Sequence, residues 1–242
     1  MLDPITLTLA SMQNDMQRMN LIANNAANAL TPGFKREFGV IAGQVVDRTA
    51  APSGLAASAE GIPLLGIRSD DRPGTPRQTG NPLDVALLGE GYFEVRTPDG
   101  FAYTRTGAWR LDADGRVVTE AGHAVMGTGG EIVLTSPTPK IGRDGRIFDG
   151  TRELGRLKVV TFEAGESLSR IGGGLLVPHA SSRHRVLDQP RVAQAHLEAS
   201  NVDSAREMVQ MMETFRHFEQ SSRVLQAYDQ VRDKVFTSLG QF

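Results

Sequence analysis

The spacing of apolar residues at the start of the chain restricts its fold more than any other feature. From Asp3 to Leu30 they fall at Ile5, Leu9, Met12, Met16, Met19, Ala23, Ala26 and Leu30. This 4-3-4-3-4-3-4 order is the heptad seam of a coiled coil. Asp3 can cap the first turn with Pro4 at the first helical position. Thr31-Pro32-Gly33 ends the run, because the residue before proline disfavours α and glycine accepts positive φ. An ordinary core-facing helix carries a similar stripe, but this one has flexible methionines at three successive seam positions. Asn24, Asn25 and Asn28 lie among the alanines of its last turns and are poor helix formers. Its stability has to come from a partner.

A second helical pattern follows Ser200-Asn201-Val202-Asp203. Ser204 and Glu207 have capping-box spacing, with Asp203 a competing cap. Met208, Met211, Phe215, Phe218, Ser222 and Leu225 trace one stripe, and Val224, Tyr228, Val231, Val235 and Leu239 an adjacent one. Two stripes imply more than one neighbour.

Between the helices, Gly43 to Gly61 is rich in Ala, Ser, Gly and Pro and reads as a connector. Beyond it, Asp99-Gly100, Asp114-Gly115, Asp144-Gly145 and Asp149-Gly150 are turn dipeptides between short strand-like runs such as Tyr92–Val95 and Leu157–Phe162. The expected fold is α+β: long N- and C-terminal helices packed as a coiled-coil-like pair, with a largely antiparallel, up-and-down β domain inserted between them. Residues 1–42 form the N-terminal axial helix, pairing with a C-terminal helix in 198–242; 43–63 is the linker and 64–197 the β-rich middle.

Signals for chemistry are weak. Lys+Arg 26 against Asp+Glu 28 gives a net charge of -2 without a basic cluster, so nucleic acid is not an expected partner. The chain has no cysteine, which removes disulfides, thiol nucleophiles and cysteine-type zinc sites. No run approaches the roughly eighteen apolar residues of a membrane span, and the N-terminus lacks the basic start of a cleavable signal, its first basic side chain being Arg18. Asp112-Ala113-Asp114-Gly115 begins like a calcium loop, yet Arg116 and His123 stand where ligands would close it. Gly172-Gly173-Gly174 lacks the Lys-Ser or Lys-Thr of a phosphate cradle. His179 and His184 share an arginine- and serine-rich loop, and Ser181, Ser182, His184 and Asp188 supply the residue types of a hydrolase triad without a nucleophile elbow. Asp70-Asp71, between Arg68 and Arg72, reads as an exposed salt-linked turn. No catalytic residue, cofactor, metal or small-molecule substrate is expected.

Two longer segments carry a resemblance. Leu21-Ile22-Ala23-Asn24-Asn25-Ala26-Ala27-Asn28 with Thr31-Pro32-Gly33-Phe34-Lys35-Arg36 resembles the N-terminal motif of the bacterial flagellar axial proteins, the rod and hook family, although Ala26 stands where leucine is common. Leu197-Glu198-Ala199-Ser200-Asn201-Val202-Asp203 leading into Met208-Val209 resembles that family's C-terminal motif. Pro82 to Phe93 and Tyr103-Thr104-Arg105-Thr106-Gly107 are similar to its shared β domain. Gly155-Arg156-Leu157-Lys158 and Phe215-Arg216-His217-Phe218-Glu219 look closer to the proximal-rod members than to the distal-rod members, which usually have tyrosine where Phe218 stands.

The resemblance implies a structural subunit of the basal-body rod, exported through the flagellar type III channel without a cleaved signal and polymerising into a hollow helical shaft across the periplasm. Its partners would be further copies of itself and other rod proteins. The assembly interface expected on this reading comprises Ile5, Leu9, Met12, Met16, Met19, Ile22, Asn24, Asn25, Asn28, Leu30 and Phe34 near one end. Near the other it comprises Asn201, Val202, Met208, Met212, Phe215, Phe218, Leu225, Val231, Val235 and Leu239. The asparagine amides would bond across it and the flanking alanines would allow close helix approach. A distal-rod or hook-type role is the near alternative. A peripheral membrane protein is the distant one, disfavoured because the polar face of the first helix carries Gln, Asn and Asp with one arginine, where anionic lipid would favour a basic face.

Overall fold

The computed structural model describes residues 4–41, 65–163, 168–178 and 183–239. The expected connector 43–63 and residues His179, Ser181 and Ser182 lie outside them. The chain divides into two compact units, a helical one from residues 1–29, 36–70 and 202–242 and a β unit from 30–35 and 71–201.

In the helical unit, α1 (Pro4–Ala27) packs against α2 (Ser204–Leu239). Asn28 closes α1, its amide donating to the Asn24 backbone oxygen at 2.9 Å. Asp203 takes the N-cap of α2, accepting from the backbone N–H groups of Ala205 and Arg206, so Glu207 is free to turn inward. Strand Glu37–Ile41 pairs antiparallel with Leu65–Ser69.

The β unit is built around strand Tyr92–Thr97, whose first four residues are all buried. Phe93 and Val95 face a core with Val85, Trp109, Val125 and Val159, where Trp109 meets Phe93 edge-on at 4.8 Å. Tyr92 joins Tyr103, Val160 and Leu176 in a second cluster. A strand covered on both faces belongs in the interior of a sheet and needs neighbours along both edges. The hairpin at Asp99-Gly100 supplies Gly100–Thr104 on one edge, while Ala124–Gly127 and Val159–Phe162, both distant in sequence, share the other.

One buried ionic cluster ties residues 30–35 into this unit. The Glu198 carboxylate accepts from Lys35 Nζ at 2.5 Å, from Gly74 N at 2.8 Å and from Arg105 Nε at 2.8 Å. Arg105 also donates to the carbonyls of Gly89 and Gly91. Burial pulls the Lys35 ammonium below the usual lysine range, against the pull of Glu198. Removing one member of such a cluster leaves uncompensated charge in the interior.

The expected fold class is corrected on two counts. The β region is no up-and-down meander: its largest sheet runs Leu168–Gly172, Leu175–Pro178, Gly100–Thr104, Tyr92–Thr97, Ala124–Gly127, Val117–Thr119, Trp109–Leu111, and three smaller sheets complete the described residues of this unit. Local turn signals cannot reveal these long-range pairings. The helical pair, in turn, is not an apolar coiled coil along the expected seam. Its contact face is partly polar and rotated by one residue.

Candidate assembly surface

Two polar contacts set the alignment of the helices. His217 Nδ1 donates to the buried Asp15 carboxylate at 2.5 Å, and Asn25 Nδ2 donates to Glu207 Oε2 at 3.2 Å. Ten residues forward on α1 correspond to ten back on α2, so the pair is antiparallel. On α1 the face turned to α2 is Ile5, Thr8, Met12, Asp15, Met19 and Ile22; on α2 it is Glu207, Met211, Thr214, Phe218, Ser221 and Leu225. All of these are buried or half-buried, and both sets keep heptad spacing.

Ile5, Met12 and Met19 therefore stand where expected, but the alternate positions are Thr8, Asp15 and Ile22 in place of Leu9, Met16 and Ala23. The polar network accounts for the rotation. Asn25 is 1% exposed, and its amide also donates to the Glu37 carbonyl at 2.7 Å while accepting from Glu37 N–H at 2.8 Å. Glu207, fully buried, accepts from Arg36 Nε at 2.5 Å, and Arg36 reaches Gln210 as well. A buried amide or carboxylate left without partners costs about 1–3 kcal/mol or more, and these bonds need Asn25 and Glu207 turned inward together. Thr214 meets its own requirement by donating to the Gln210 carbonyl.

The expected interface residues separate accordingly. Ile5, Met12, Met19, Ile22, Phe218 and Leu225 lie on the intrachain seam. Asn25 bonds within its own chain; Asn24 donates to Glu37 and Asn28 to Asn24. Phe34 is buried in the β unit beneath the Arg170 guanidinium, 4.8 Å from its ring centre. Asn201 belongs to the β unit, where it donates to the Arg72 carbonyl, and Val202, in the helical unit, is half-buried. Leu30 is 94% exposed. The side chain of Leu239 lies outside the described residues.

What remains is a set of large apolar side chains in water: Leu9 and Met16 on α1, and Met208, Met212, Phe215, Val231 and Val235 on α2, each 45–66% exposed. Single exposed hydrophobics are ordinary, but a concentration of them on one helix pair is not. Of the polar residues that organise the helix pair, Glu207 stands at capping-box spacing from Ser204 and Arg36 and His217 lie in the quoted motifs, while Asp15 and Glu37 carry no local pattern.

The chemistry-like strings resolve as structure. Asp112 accepts from the backbone of Asp114 and Arg116 and pairs with the Arg116 guanidinium at 2.8 Å. Burial opposes ionisation there, but these donors hold the carboxyl below its ordinary range. His184 lines an open cleft of about 600 Å³ with Glu90, Glu163 and Arg191. Among the described residues, no three His, Asp or Glu side chains converge on a metal position, and no helix is long and apolar enough to cross a membrane.

Residues 193–237 match the family model "Flagellar basal body rod FlgEFG protein C-terminal", and residues 86–148 match "Flagellar hook protein FlgE/F/G D1 domain". A protein named flagellar basal-body rod protein FlgF from Mesorhizobium japonicum is 31% identical over 99% of both chains. Proteins named flagellar basal-body rod protein FlgG are 31% identical in Agrobacterium fabrum, over 96% of this chain and 98% of the relative, and 30% identical in Bacillus subtilis, over 92% and 94%.

Proposed function

We infer the role of this chain from one fact: it belongs to the flagellar basal-body rod protein family. It is a structural subunit of the rod and polymerises through its helical unit with copies of itself and with other rod proteins. It acts without catalysis, in the periplasmic part of the basal body, after export without a cleaved signal. Its place is the proximal rod, a reading supported by end-to-end similarity to the FlgF-named relative. Phe218 supports it too, half-buried on the seam where the extra hydroxyl of a tyrosine would need a partner.

The observation that carries the assembly reading is the exposed flank of the helix pair. Met208, Met212 and Phe215 are 66%, 53% and 51% exposed, and each is stabilised by about 25 cal/mol per Å² of apolar surface when a neighbour covers it. A pair whose own seam contains Asp15, Glu207 and Thr214 has little apolar contact to spare, so neighbours complete its burial.

Phe215→Asp tests this against Val133→Asp, a charge of the same size on the exposed surface of the β unit. Basal bodies are isolated from cells carrying each variant and probed for the chain. Incorporation and swimming fall at least tenfold for Phe215→Asp and stay near wild type for Val133→Asp. Equal behaviour of the two would refute the helical unit as the assembly surface.

A further inference from the structure

Each helix of the pair carries two heptad seams that share every second member. On α1, Ile5, Met12 and Met19 alternate with Thr8, Asp15 and Ile22 in the observed contact, and with Leu9, Met16 and Ala23 in a second seam one residue on. On α2, Met211, Phe218 and Leu225 alternate with Glu207, Thr214 and Ser221 in the contact, and with Met208, Phe215 and Ser222 in the second. The observed seams hold the acids Asp15 and Glu207, 5% and 0% exposed. The second seams hold no charged side chain, and their Leu9, Met16, Met208 and Phe215 are 45–66% exposed.

At 3.6 residues per turn, the centres of the two seams lie about 50° apart on each helix. In an antiparallel pair, positions one residue on from the contact lie on the same side of both helices. Counter-rotating the helices by that angle therefore brings one second seam against the other. No sliding is needed: the level set by Asp15–His217 and Asn25–Glu207 puts Met16 opposite Phe215, Leu9 opposite Ser222 and Ala23 opposite Met208, each within one residue.

We propose that the helix pair has a second packing, closed on these apolar seams, and that Asp15–His217 and Arg36–Glu207 form the polar latch that holds it out of that packing. Carboxylates are tolerated in the observed seam because His217 and Arg36 meet them. Without these partners the observed packing keeps Asp15 unpaired and Glu207 without its cation. The rotated packing moves both acids to the flank, where water solvates them, and draws Leu9, Met16, Met208 and Phe215 out of water. Selecting one of several helix packings at some expense of stability is the best-attested use of polar side chains at seam positions. His217 and Arg36 lie on neither seam, so their loss alters the choice and leaves the apolar residues of both seams in place. The latch thus decides whether the apolar flank faces outward or inward, and it does so within one chain.

The chain has no cysteine, so one introduced thiol reports on one position. Thr214, on the observed seam, is 6% exposed, and Met16, on the second, is 53% exposed. Thr214→Cys and Met16→Cys are each placed in the full chain, with and without His217→Ala plus Arg36→Ala. The rate of reaction with a soluble thiol reagent is then measured under native conditions. With the latch intact, Met16→Cys should react at least tenfold faster than Thr214→Cys. Without it the order should reverse, the first slowing and the second quickening at least tenfold, while far-UV circular dichroism stays helical. Any other result overturns the proposal: an unchanged order means that the pair has one packing, and fast reaction at both positions means that the helices separate without finding a second.

Discussion

Glu198→Gln isolates what the buried ionic cluster contributes to the β unit. The carboxylate is 1% exposed and serves Lys35, Gly74 and Arg105. Glutamine keeps its shape, but one acceptor oxygen becomes an NH2 group facing a cation, and two buried cations lose their only carboxylate in the cluster. Breaking a buried pair in this way costs about 3–5 kcal/mol. The chain has a single tryptophan, and Trp109 lies in the core of this unit. Its emission in a urea titration therefore follows the β unit without labelling. With m near 1.5 kcal/mol/M, the midpoint should fall by roughly 2–3 M. Lys35→Met together with Glu198→Gln should cost less than the sum of the two single changes, because each removes the other's unpaired charge. A midpoint shift below about 0.5 M for Glu198→Gln, or strict additivity in the cycle, would refute the reasoning.

Deletion of residues 1–29 should leave the Trp109 transition within about 0.5 M of wild type, because residues 30–35 stay with the β unit; far-UV circular dichroism should lose more than the α1 signal, since α2 loses its partner. Loss of the cooperative Trp109 transition would show that the units do not fold separately. Gly107→Ala places a Cβ 1.6 Å from the Val85 carbonyl oxygen, and a calorimetric scan should register a loss of about 3 kcal/mol or more; an unchanged Tm would refute the close approach. Burial first, then the charge of Glu94, pushes the Tyr103 phenol up to about 12. The unfolded chain releases that proton near 10, so the native state holds more protons between about 10 and 12, and stability falls as pH rises through that window by about 2 kcal/mol. Tyr103→Phe should flatten this slope of the urea midpoint against pH, and an equal slope in both proteins would remove Tyr103 as its source.

The terminal helices and the turns were legible because their causes are local. Asp203 capping and the hairpin at Asp99-Gly100 each depend on a few consecutive residues. The strand order was not legible, because the partners on the other edge of Tyr92–Thr97 come from two distant segments and are chosen by burial on both of its faces. The bridges Asp15–His217, Asn25–Glu207 and Lys35–Glu198 each span more than 160 residues and leave no periodic trace.

The misplaced seam has a different origin. Ile5, Met12 and Met19 fit either rotation of α1, so periodicity alone could not choose between Thr8, Asp15 and Ile22 on one side and Leu9, Met16 and Ala23 on the other. Polar bonds within the chain chose the first set. Hydrophobic periodicity reports burial in the working state of a protein, whether the cover comes from the same chain or from another. Had Leu9 and Met16 been needed for the fold of one chain, they would lie inside the pair; at 45% and 53% exposure they do not. α1 thus carries more apolar surface than α2 can cover. On this argument Leu9→Gln with Met16→Gln should leave the helical signal and thermal transition of the isolated chain within about 1 kcal/mol of wild type while reducing its incorporation into basal bodies at least tenfold. Destabilisation of the isolated chain by several kcal/mol would mean that α1 needs these residues for its own fold.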